Sequence, residues 1–337
     1  MSQTYFIKEI STSDQTDFDN ENSLFSSYQW MKLFETTYHI HYKKIVDEKD
    51  YFILHFALIE HAFAKKISIL PFSDYVDFSR VTPHNLASIF EYLNDAYPAH
   101  DLVYKSNFHE AEIPINLNIK TKACYHRIPT RDISNFYLKP SFKSKVNKAK
   151  KLGLTARFNH QLSAIDDFYE LYVDLRFTKF NIIPQPLSFF YAVHESYIKT
   201  KQGFTLEVLH DNHVIASAII LKHKNILYYK YSCSSSKHLS MAPNNLLMHT
   251  LIEYAKGKGF DYVDLGLSEL TNENAGLRAF KESCGGKQYP IHYLSVDNDK
   301  TTRAQNPLKK LTGTIVNKRM SKEDTSALSE VIYPYFA

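Results

Sequence analysis

The chain has 337 residues, of which 44% are apolar and 14% aromatic, so it can fill sizeable cores and is not a disordered chain. Its formal net charge is +4, from 40 basic and 36 acidic side chains, which is too small to indicate nucleic-acid binding by the whole surface. Only nine residues are glycine and none precedes Gly153, which excludes a P-loop or a dinucleotide fingerprint from the first half.

Hydrophobic periodicity predicts the elements of the first half. A short strand near the N-terminus and a polar loop at 11–23 come first. Helices are predicted at 26–38 and, opened by Thr82-Pro83, at 83–97. The predicted strands of this half are 40–46, 51–59, 62–70, 101–105, 113–118 and 125–129.

The second half follows a junction at 135–140. A basic helix is predicted at 141–152 and ends at Gly153, and another runs from Pro243 to near Gly257. Gly257 and Gly259 follow a helix rather than a strand, so we interpret them as helix termination and not as a nucleotide turn. The remaining predicted helices are 165–175, 187–199 and 275–283, and the strands are 154–158, 204–210, 214–222, 226–232, 262–265 and 288–296.

The element order from residue 154 is β-α-α-β-β-β-α-β-α-β, and the first half gives a rougher β-α-β-β-β-α-β version. We therefore predict two related mixed α/β domains in tandem, although no sequence repeat supports a duplication. The predicted boundaries are 1–135 and 136–296, followed by a helical tail at 297–337 whose weak amphipathic stretch is Leu308, Leu311, Ile315 and Met320.

The order of elements in the second half matches the GNAT acyltransferase fold, and several segments extend the likeness. Together, in order and spacing, they resemble the Fem-type branch of tandem GNAT proteins, which is related to peptidoglycan-bridge aminoacyltransferases. The resemblance covers roughly residues 20–295. The segments are LFSSYQWMKLF (24–34), LPFSDYVDF (70–78), FKSKVNKAKKLGL (142–154), APNNLLMHTLIEYAKGKGFDYVDLG (242–266) and GLRAFKESCGG (276–286).

The resemblance implies where an acyl donor binds. In GNAT folds the strands on either side of one helix separate to admit the donor, and the N-terminus of that helix binds its pyrophosphate. Here the helix starts in the loop KHLSMAPNN, which lacks the glycines of the usual CoA loop Q/R-x-x-G-x-G/A. The donor is therefore left open between acyl-CoA and aminoacyl-tRNA. The implied donor-binding residues are Lys230, Pro243, Asn244, Asn245 and Phe280.

The resemblance also implies catalytic residues. Asp264, at the end of a predicted central strand, would orient or deprotonate an attacking amine, with Glu269 as a weaker alternative. Lys281 would meet a phosphate or the developing oxyanion. Tyr231, which alternates with Lys230 and Tyr229, would protonate the leaving group. Each of these residues also has a structural alternative. Asp264 would be a buried aspartate that caps the next loop, Lys281 a solvated lysine on a helix, and Tyr231 an aromatic residue of the core.

The most uneven distribution of charge in the sequence is a basic segment near its middle. Between Asp132 and Asp166 no acidic residue interrupts seven lysines and arginines, a pattern that suits phosphates of tRNA or of a nucleotide- or lipid-linked glycan. The alternative to a phosphate-binding surface is a charged helix face that contacts only solvent. No RNA-binding motif supports RNA in particular. We do not expect DNA as a partner. We expect the acceptor to bind residues from this segment and from elsewhere: Asp74, Tyr75, Lys145, Lys148, Arg176, Lys179 and Glu269.

Three cysteines, Cys124, Cys233 and Cys284, are odd in number and far apart, which argues against a disulfide scaffold or a zinc site. The 16 histidines show no H-E-x-x-H spacing, so we expect no metal. The longest apolar run, 51–59, is about half of a membrane span. We therefore expect no transmembrane segment and a cytoplasmic location.

The sequence thus predicts an acyltransferase that moves an acyl or aminoacyl group to an amine on a cell-envelope precursor or glycan, without a covalent enzyme intermediate. Two alternatives stay open. One is an acyl-CoA-dependent N-acetyltransferase of a small amine or sugar nucleotide. The other is a non-catalytic module that binds an anionic glycan, lipid or RNA.

Overall fold

The computed structural model describes residues 4–61, 64–131, 137–180, 182–295, 313–314 and 322–336. The chain folds into two compact units. Unit 1 comprises Met1–Ala123 and Pro290–Ala337, and unit 2 comprises Cys124–Tyr289. The domain boundaries predicted after residues 135 and 296 stay predictions.

Unit 1 is built on a mixed sheet with the order β1-β2-β3-β4-β5-β12. Strands β4 and β5 pair in parallel, and the other pairs are antiparallel. Its strands are β1 (Tyr5–Glu9), β2 (Tyr42–Asp47), β3 (Phe52–His61), β4 (Ala64–Ile69), β5 (Asp101–Ser106) and the second part of β12 (Lys287–Ser295).

Two helices of unit 1 begin where capping side chains satisfy their first N–H groups. Ser27 accepts a hydrogen bond from the Trp30 N–H, and Thr82 forms a capping box with Asn85 just before Pro83. Trp30 is only 1% exposed, so it is a core residue. The helices are α1 (Gln15–Asp19), α2 (Tyr28–Tyr38), α3 (Pro83–Ala96) and α9 (Lys322–Ile332).

Two local predictions in unit 1 are wrong. Residues 113–117 form a turn and not a strand: Pro114 has no N–H to donate, and its carbonyl accepts from the Leu117 N–H at 3.1 Å. The strand β6 (Asn118–Pro129) starts after this turn and is longer than predicted. The predicted loop at 11–23 contains α1, because Phe18 is completely buried and anchors it. The stretch Leu308, Leu311, Ile315 and Met320 lies outside the described residues.

Unit 2 has a mixed sheet with the order β6-β11-β10-β9-β8-β7. Strands β10 and β11 pair in parallel, and β7 to β10 form an antiparallel run. Besides β6, its strands are β7 (Thr155–Asn159), β8 (Gly203–His210), β9 (His213–His223), β10 (Ile226–Ser234) and β11 (Tyr262–Glu269).

Helices cover both faces of this sheet. The pair α4 and α7 packs on one face through a shared apolar core, and α5 and α6 pack on the other, where Phe168 and Phe190 meet strand residues. The helices are α4 (Pro140–Lys151), α5 (Ser163–Leu175), α6 (Leu187–Val193), α7 (Pro243–Lys258) and α8 (Ala275–Ser283). The predicted order β-α-α-β-β-β-α-β-α-β is confirmed.

Glycine ends two of these helices as the sequence predicts. Gly153 after α4 and Gly259 after α7 adopt positive φ angles of 78° and 75°. At Gly259 the pattern is a Schellman motif, with Phe260 donating to the Ala255 carbonyl and Gly259 to the Lys256 carbonyl. No helix in the described ranges is long and apolar enough to cross a membrane.

Unit 1 contains a histidine whose burial makes stability depend on pH. His55 is 1% exposed and lies among aromatic rings that include Phe18, Phe52 and Phe78. Burial lowers the pKa of His55 to about 3. The folded state thus holds the neutral imidazole, while the unfolded chain takes up a proton below its ordinary pKa near 6.5.

Stability from this site is complete above pH 6.5 and falls as the pH drops toward 3. We expect the change His55→Phe to remove up to about 1.4 kcal/mol per pH unit from the slope of unfolding free energy against pH, between pH 6 and 4. Urea titrations at several pH values measure the slope. The exposed His84 offers the control: His84→Phe should leave the slope unchanged. An unchanged slope in His55→Phe would contradict the assignment.

Candidate active site at a strand fork in unit 2

Strands β10 and β11 separate partway along their length. They pair only at Ile226–Tyr262, Leu227–Val263 and Tyr228–Asp264. Strand β10 nevertheless continues to Ser234 and β11 to Glu269. We call this separation the fork, and its arms are residues 229–234 of β10 and 265–269 of β11. Main-chain groups on the edge of an unpaired strand can bind a ligand instead of a neighbouring strand.

A bulge marks the start of the β10 arm. In the register with β9, Tyr229 faces Ile220 and Tyr231 faces Ile219, so Lys230 is the extra residue. The bulge breaks the alternation expected from sequence and turns the two tyrosines to opposite faces of the sheet. Tyr229 packs into the core with α4 and α7, whereas Tyr231 packs edge-on against Phe190 of α6 with ring centroids 5.3 Å apart.

The bulge also separates the chemistry of the two tyrosines. Burial raises the pKa of Tyr229 well above its ordinary value, so this phenol stays protonated in the core. Tyr231 and Lys230 are both half-buried on the arm, with the Lys230 ammonium 6.0 Å from the Tyr231 ring centroid. Tyr229 is half-buried as well, but Tyr231 lies beside Lys230 on the face that α6 covers.

The N-terminus of α7 lies next to the end of the β10 arm. The Asn244 amide donates to the Ser234 hydroxyl at 3.0 Å, which ties the first turn of the helix to the strand. Pro243 occupies the first helical position as predicted, and no side chain caps the helix. Ala242 adopts the left-handed conformation (φ 60°) that glycine usually supplies, so the turn forms without the glycines of a common CoA loop.

Asp264 holds the base of the fork. Its side chain is 1% exposed, and its Oδ2 accepts from the Arg127 Nε at 2.9 Å. Its Oδ1 accepts from the Gly266 N–H at 2.8 Å, within the β11 arm. Gly266 has φ 69°, a conformation that the carboxylate stabilises and that glycine tolerates without strain. Asp264 therefore fixes the direction in which β11 leaves β10.

Arg127, on β6, completes this arrangement and was not predicted. Its guanidinium lies 5.3 Å from the Tyr125 ring and 5.9 Å from the Tyr262 ring. The aromatic contacts and the Asp264 carboxylate together set its position. No local pattern indicates this role, because Arg127 and Asp264 are 137 residues apart in the chain.

Lys281, on α8, binds the β11 arm through the ammonium at the tip of its side chain. It is 5% exposed, and its ammonium donates to the carbonyls of Gly266 and Leu267 at 2.9 and 3.1 Å. The residue is thus not a solvated helix lysine. Its ammonium, like the carboxylate of Asp264, binds main-chain groups of the arm.

The Gly285-Gly286 turn folds back onto the main chain of α8 at Lys281. Gly286 donates to the Lys281 carbonyl at 2.9 Å and Gly285 to the Glu282 carbonyl at 3.0 Å, a Schellman motif at the end of the helix. A Cβ on Gly286 would lie 2.6 Å from the Lys281 carbonyl oxygen, which is closer than real contacts allow. The glycine is therefore required by the close approach of two backbone segments.

Other titratable groups near the fork are inert. Burial, with a contribution from the Lys281 ammonium, lowers the pKa of His126 to about 4, so this imidazole is neutral at neutral pH. Burial raises the pKa of the Cys284 thiol to about 12, and Cys124 and Cys233 are also buried with raised pKa values. A thiolate nucleophile does not fit these environments.

The basic segment folds as the outer face of α4. Phe142 and Val146 face the core, and the lysines of the helix are exposed. Two basic residues of the segment have close charged partners, Lys139 with Glu282 at 3.4 Å and Arg157 with Glu207. The helix packs on α7 and on the turn Ser236–Met241 that leads into it. The exposed lysines are Lys139, Lys143, Lys145, Lys148, Lys150 and Lys151.

The remaining predicted site residues are spread over both units. Phe280 packs against the core of unit 2, and Asn245 is buried in α7. Glu269 is exposed, and its carbonyl accepts a hydrogen bond from Arg278. Arg176 and Lys179 lie in a π-helical turn after α5 and contact the rings of Tyr172 and Phe180.

Two predicted acceptor-binding residues belong to unit 1. Asp74 is half-buried in the loop after β4. Tyr75 is completely buried and packs edge-on against Phe25 at 5.2 Å, so it supports the loop and is not exposed by it. Of the predicted residues, the structure brings together Lys230, Tyr231, Asn244, Asp264 and Lys281 around the fork.

Comparison with known proteins agrees with this architecture. Residues 139–281 match the family described as acetyltransferase (GNAT) domain. Among solved structures, the match to FemX covers 91% of this chain and 100% of the FemX chain, with a TM-score of 0.63 and 13% sequence identity. No curated protein matches the sequence.

Two further solved structures have the same fold over nearly the whole chain. The C-terminal domain of a putative lysylphosphatidylglycerol synthetase from Agrobacterium fabrum covers 89% of this chain and 95% of its own (TM-score 0.61, 14% identity). The match to L-PGS from Bacillus licheniformis covers 91% of this chain and 98% of the L-PGS chain (TM-score 0.61, 11% identity). The chain therefore contains a GNAT-type domain and has the Fem-like tandem GNAT fold, as predicted.

Proposed function

We propose that the protein is an acyltransferase that moves an acyl or aminoacyl group to an amine of a cell-envelope precursor or glycan. The observation that carries the proposal is the fork, with its bulge at Lys230 and the uncapped N-terminus of α7 beside it. The GNAT-type domain supports acyl transfer. The likeness to a protein named lysylphosphatidylglycerol synthetase supports an aminoacyl group and an envelope acceptor.

The chemistry needs no covalent enzyme intermediate. The donor carbonyl would lie against main-chain N–H groups of the β10 arm, which stabilise the oxyanion as the acceptor amine attacks. A C–N bond forms, the C–S or C–O bond to the donor breaks, and the amine proton passes to the departing sulfur or oxygen. Tyr231 is placed on the arm to assist that proton transfer.

Asp264 and Lys281 act in this proposal through the arm of β11. Their hydrogen bonds to Gly266 and Leu267 keep the fork open. They are thus positioning residues, which refines the direct roles that the resemblance implies.

We propose aminoacyl-tRNA as the donor, ahead of acyl-CoA. The exposed lysines of α4 form a basic surface next to the turn that leads into α7, which suits several phosphates of a polyanion. The loop 237–245 lacks glycine, and its left-handed residue is Ala242. The free, buried cysteines support the cytoplasm as the location of the reaction.

A donor panel tests the proposal: acetyl-CoA, longer acyl-CoAs and charged tRNAs, each assayed for binding and for transfer to amine acceptors. We expect charged tRNA to bind and the double change Lys145→Glu with Lys148→Glu to weaken it at least tenfold. The matched control is Lys8→Glu with Lys49→Glu, which changes the charge equally on exposed lysines of unit 1. Tight binding of acetyl-CoA alone would favour the N-acetyltransferase alternative.

The basic surface by itself favours a second candidate, a non-catalytic module that binds a polyanion. The two candidates differ in the fork. Binding of tRNA that depends on Lys145 and Lys148, with no transfer from any donor, would favour the module. No binding and no transfer for the whole panel would exclude the transferase.

A further inference from the structure

One face of unit 2 carries a continuous row of three tyrosine rings and one guanidinium across neighbouring strands. Tyr289 of β12 stacks on Tyr125 of β6, with ring centroids 5.1 Å apart and an angle of 22° between the rings. The Arg127 guanidinium lies 5.3 Å from the Tyr125 ring and 5.9 Å from the ring of Tyr262 on β11. Each member therefore neighbours the next, and we call the set Tyr289, Tyr125, Arg127 and Tyr262 the aromatic row.

The aromatic row lies on the sheet face opposite the core that α4 and α7 share. Ile128 of β6 and Val263 of β11 point into that core. Because successive residues of a strand point to opposite faces, Arg127 and Tyr262 point away from it. Helices α5 and α6 cover this second face at β9 and β10. The two outer rings of the row stay accessible, since Tyr262 is 38% and Tyr289 37% exposed.

The inner members of the aromatic row are fixed within unit 2. Arg127 is held by its hydrogen bond to the buried Asp264 carboxylate at 2.9 Å, and Tyr125 is only 7% exposed. They support the outer rings, which lose little freedom when a ligand packs on them. Asp264 and Tyr228 are the last paired residues of β11 and β10, so the row reaches the base of the fork.

The composition of the aromatic row favours one kind of ligand. Proteins bind single-stranded RNA largely by stacking its bases on tyrosine rings and on arginine guanidinium planes, and the row offers both surfaces. The guanidinium of Arg127 also matches the negative charge of an RNA strand. A sugar ring is puckered and presents hydroxyl groups, so it matches a guanidinium plane less well than a flat base does.

We propose that the aromatic row binds unpaired bases of an RNA strand, which extend the stack at Tyr262 and Tyr289. The proposal rests on the proposed function, because the acyl group of a charged tRNA is carried on an unpaired end of the RNA. With that acyl group at the fork, the unpaired nucleotides behind it would cross the row. The exposed lysines of α4 would bind phosphates elsewhere on the tRNA.

The test measures binding of a fluorescently labelled, unacylated single-stranded RNA of about ten nucleotides by anisotropy. The variant is the double change Tyr262→Leu with Tyr289→Leu, which keeps apolar bulk and removes both outer rings. We expect it to bind the strand about tenfold or more weakly than the wild type, because each base that stacks on a ring contributes strongly to affinity. The double change Tyr262→Phe with Tyr289→Phe keeps the rings and should bind as the wild type does.

Tyr51 of unit 1 gives the matched control. It is 50% exposed, and its ring also lies against a guanidinium, that of Arg80 at 4.4 Å. Tyr51→Leu should therefore leave binding of the strand unchanged, and an equal loss in this variant would contradict the proposal. The same RNA annealed to its complement keeps its bases paired, so the wild type and the double leucine variant should bind the duplex equally.

Salt dependence separates the aromatic row from the basic surface of α4. The leucine variant loses stacking but no phosphate contact, so its slope of log Kd against log salt should equal that of the wild type. Lys145→Glu with Lys148→Glu should instead reduce the slope. If the double leucine variant is unstable, Tyr289→Leu alone leaves the contacts of Arg127 intact and should still weaken binding about fivefold or more.

The outcomes distinguish this proposal from the proposed transferase. If the leucine variant binds the strand as the wild type does, or if the wild type does not bind it, the aromatic row is not an RNA site and the acyltransferase proposal still stands. If binding depends on the row but no donor gives transfer, the row stands and the transferase falls. An N-acetylglucosamine oligosaccharide that binds through Tyr262 and Tyr289 in place of RNA would overturn the proposal and assign the row to a glycan.

Discussion

Replacing Asp264 by alanine is expected to lower the free energy of unfolding by about 3–5 kcal/mol, because it leaves Arg127 and the Gly266 N–H without their shared carboxylate in a largely buried site. The matched control is Asp261→Ala. Asp261 also pairs with an arginine, Arg131 just after β6, but the side chain of that arginine is 73% exposed. This second change should cost no more than about 1 kcal/mol.

Urea or thermal denaturation of the two variants measures the difference. Asp264→Asn should fall between them, since its amide oxygen can still accept from Gly266. If Asp264→Ala loses less stability than Asp261→Ala, the carboxylate does not hold the base of the fork. A fall in transfer rate without any loss of stability would instead restore the direct role of Asp264 toward the acceptor amine.

Replacing Lys281 by methionine is expected to reduce kcat/KM for transfer by about 10²-fold, because small displacements of a positioned site have effects of this size. The ammonium that binds the Gly266 and Leu267 carbonyls is lost, so the β11 arm is no longer held. The cost in stability should be only about 1–3 kcal/mol, because removing a buried charge offsets part of the lost hydrogen bonding. The exposed Lys287 gives the control Lys287→Met, which should behave as the wild type.

Hydrogen exchange separates positioning from direct chemistry. If Lys281 positions the arm, amide exchange at residues 265–268 should quicken in Lys281→Met while the core of unit 2 stays protected. If exchange is unchanged and only kcat falls, the ammonium acts on the reacting groups. Wild-type turnover in Lys281→Met would remove Lys281 from the site altogether.

Much of the fold of unit 2 could be predicted because its signals are local. Gly153 and Gly259 end helices through their own backbone freedom, and Pro243 starts one through its fixed φ angle. The basic face of α4 follows from the spacing of Phe142, Val146 and the lysines between them. The error at residues 113–118 has a local cause too, since one proline outweighs the β-propensity of its apolar neighbours.

The site was less predictable because its contacts are long-range. Asp264 and Lys281 were singled out only through the resemblance, and their partners could not be known. Arg127 meets Asp264 across 137 residues, so no spacing in the sequence connects them. The bulge at Lys230 depends on pairing with β9, and it alone turns Tyr229 and Tyr231 to opposite faces.

The sequence by itself determined the order of helices and strands, the ends of the main helices and the basic face of α4, since propensity, capping and periodicity act within a few residues. The tertiary structure decided that β10 and β11 separate after Tyr228 and Asp264, and that Lys281 is buried against the arm. These features depend on strand register and on burial, which arise only when distant segments pack together.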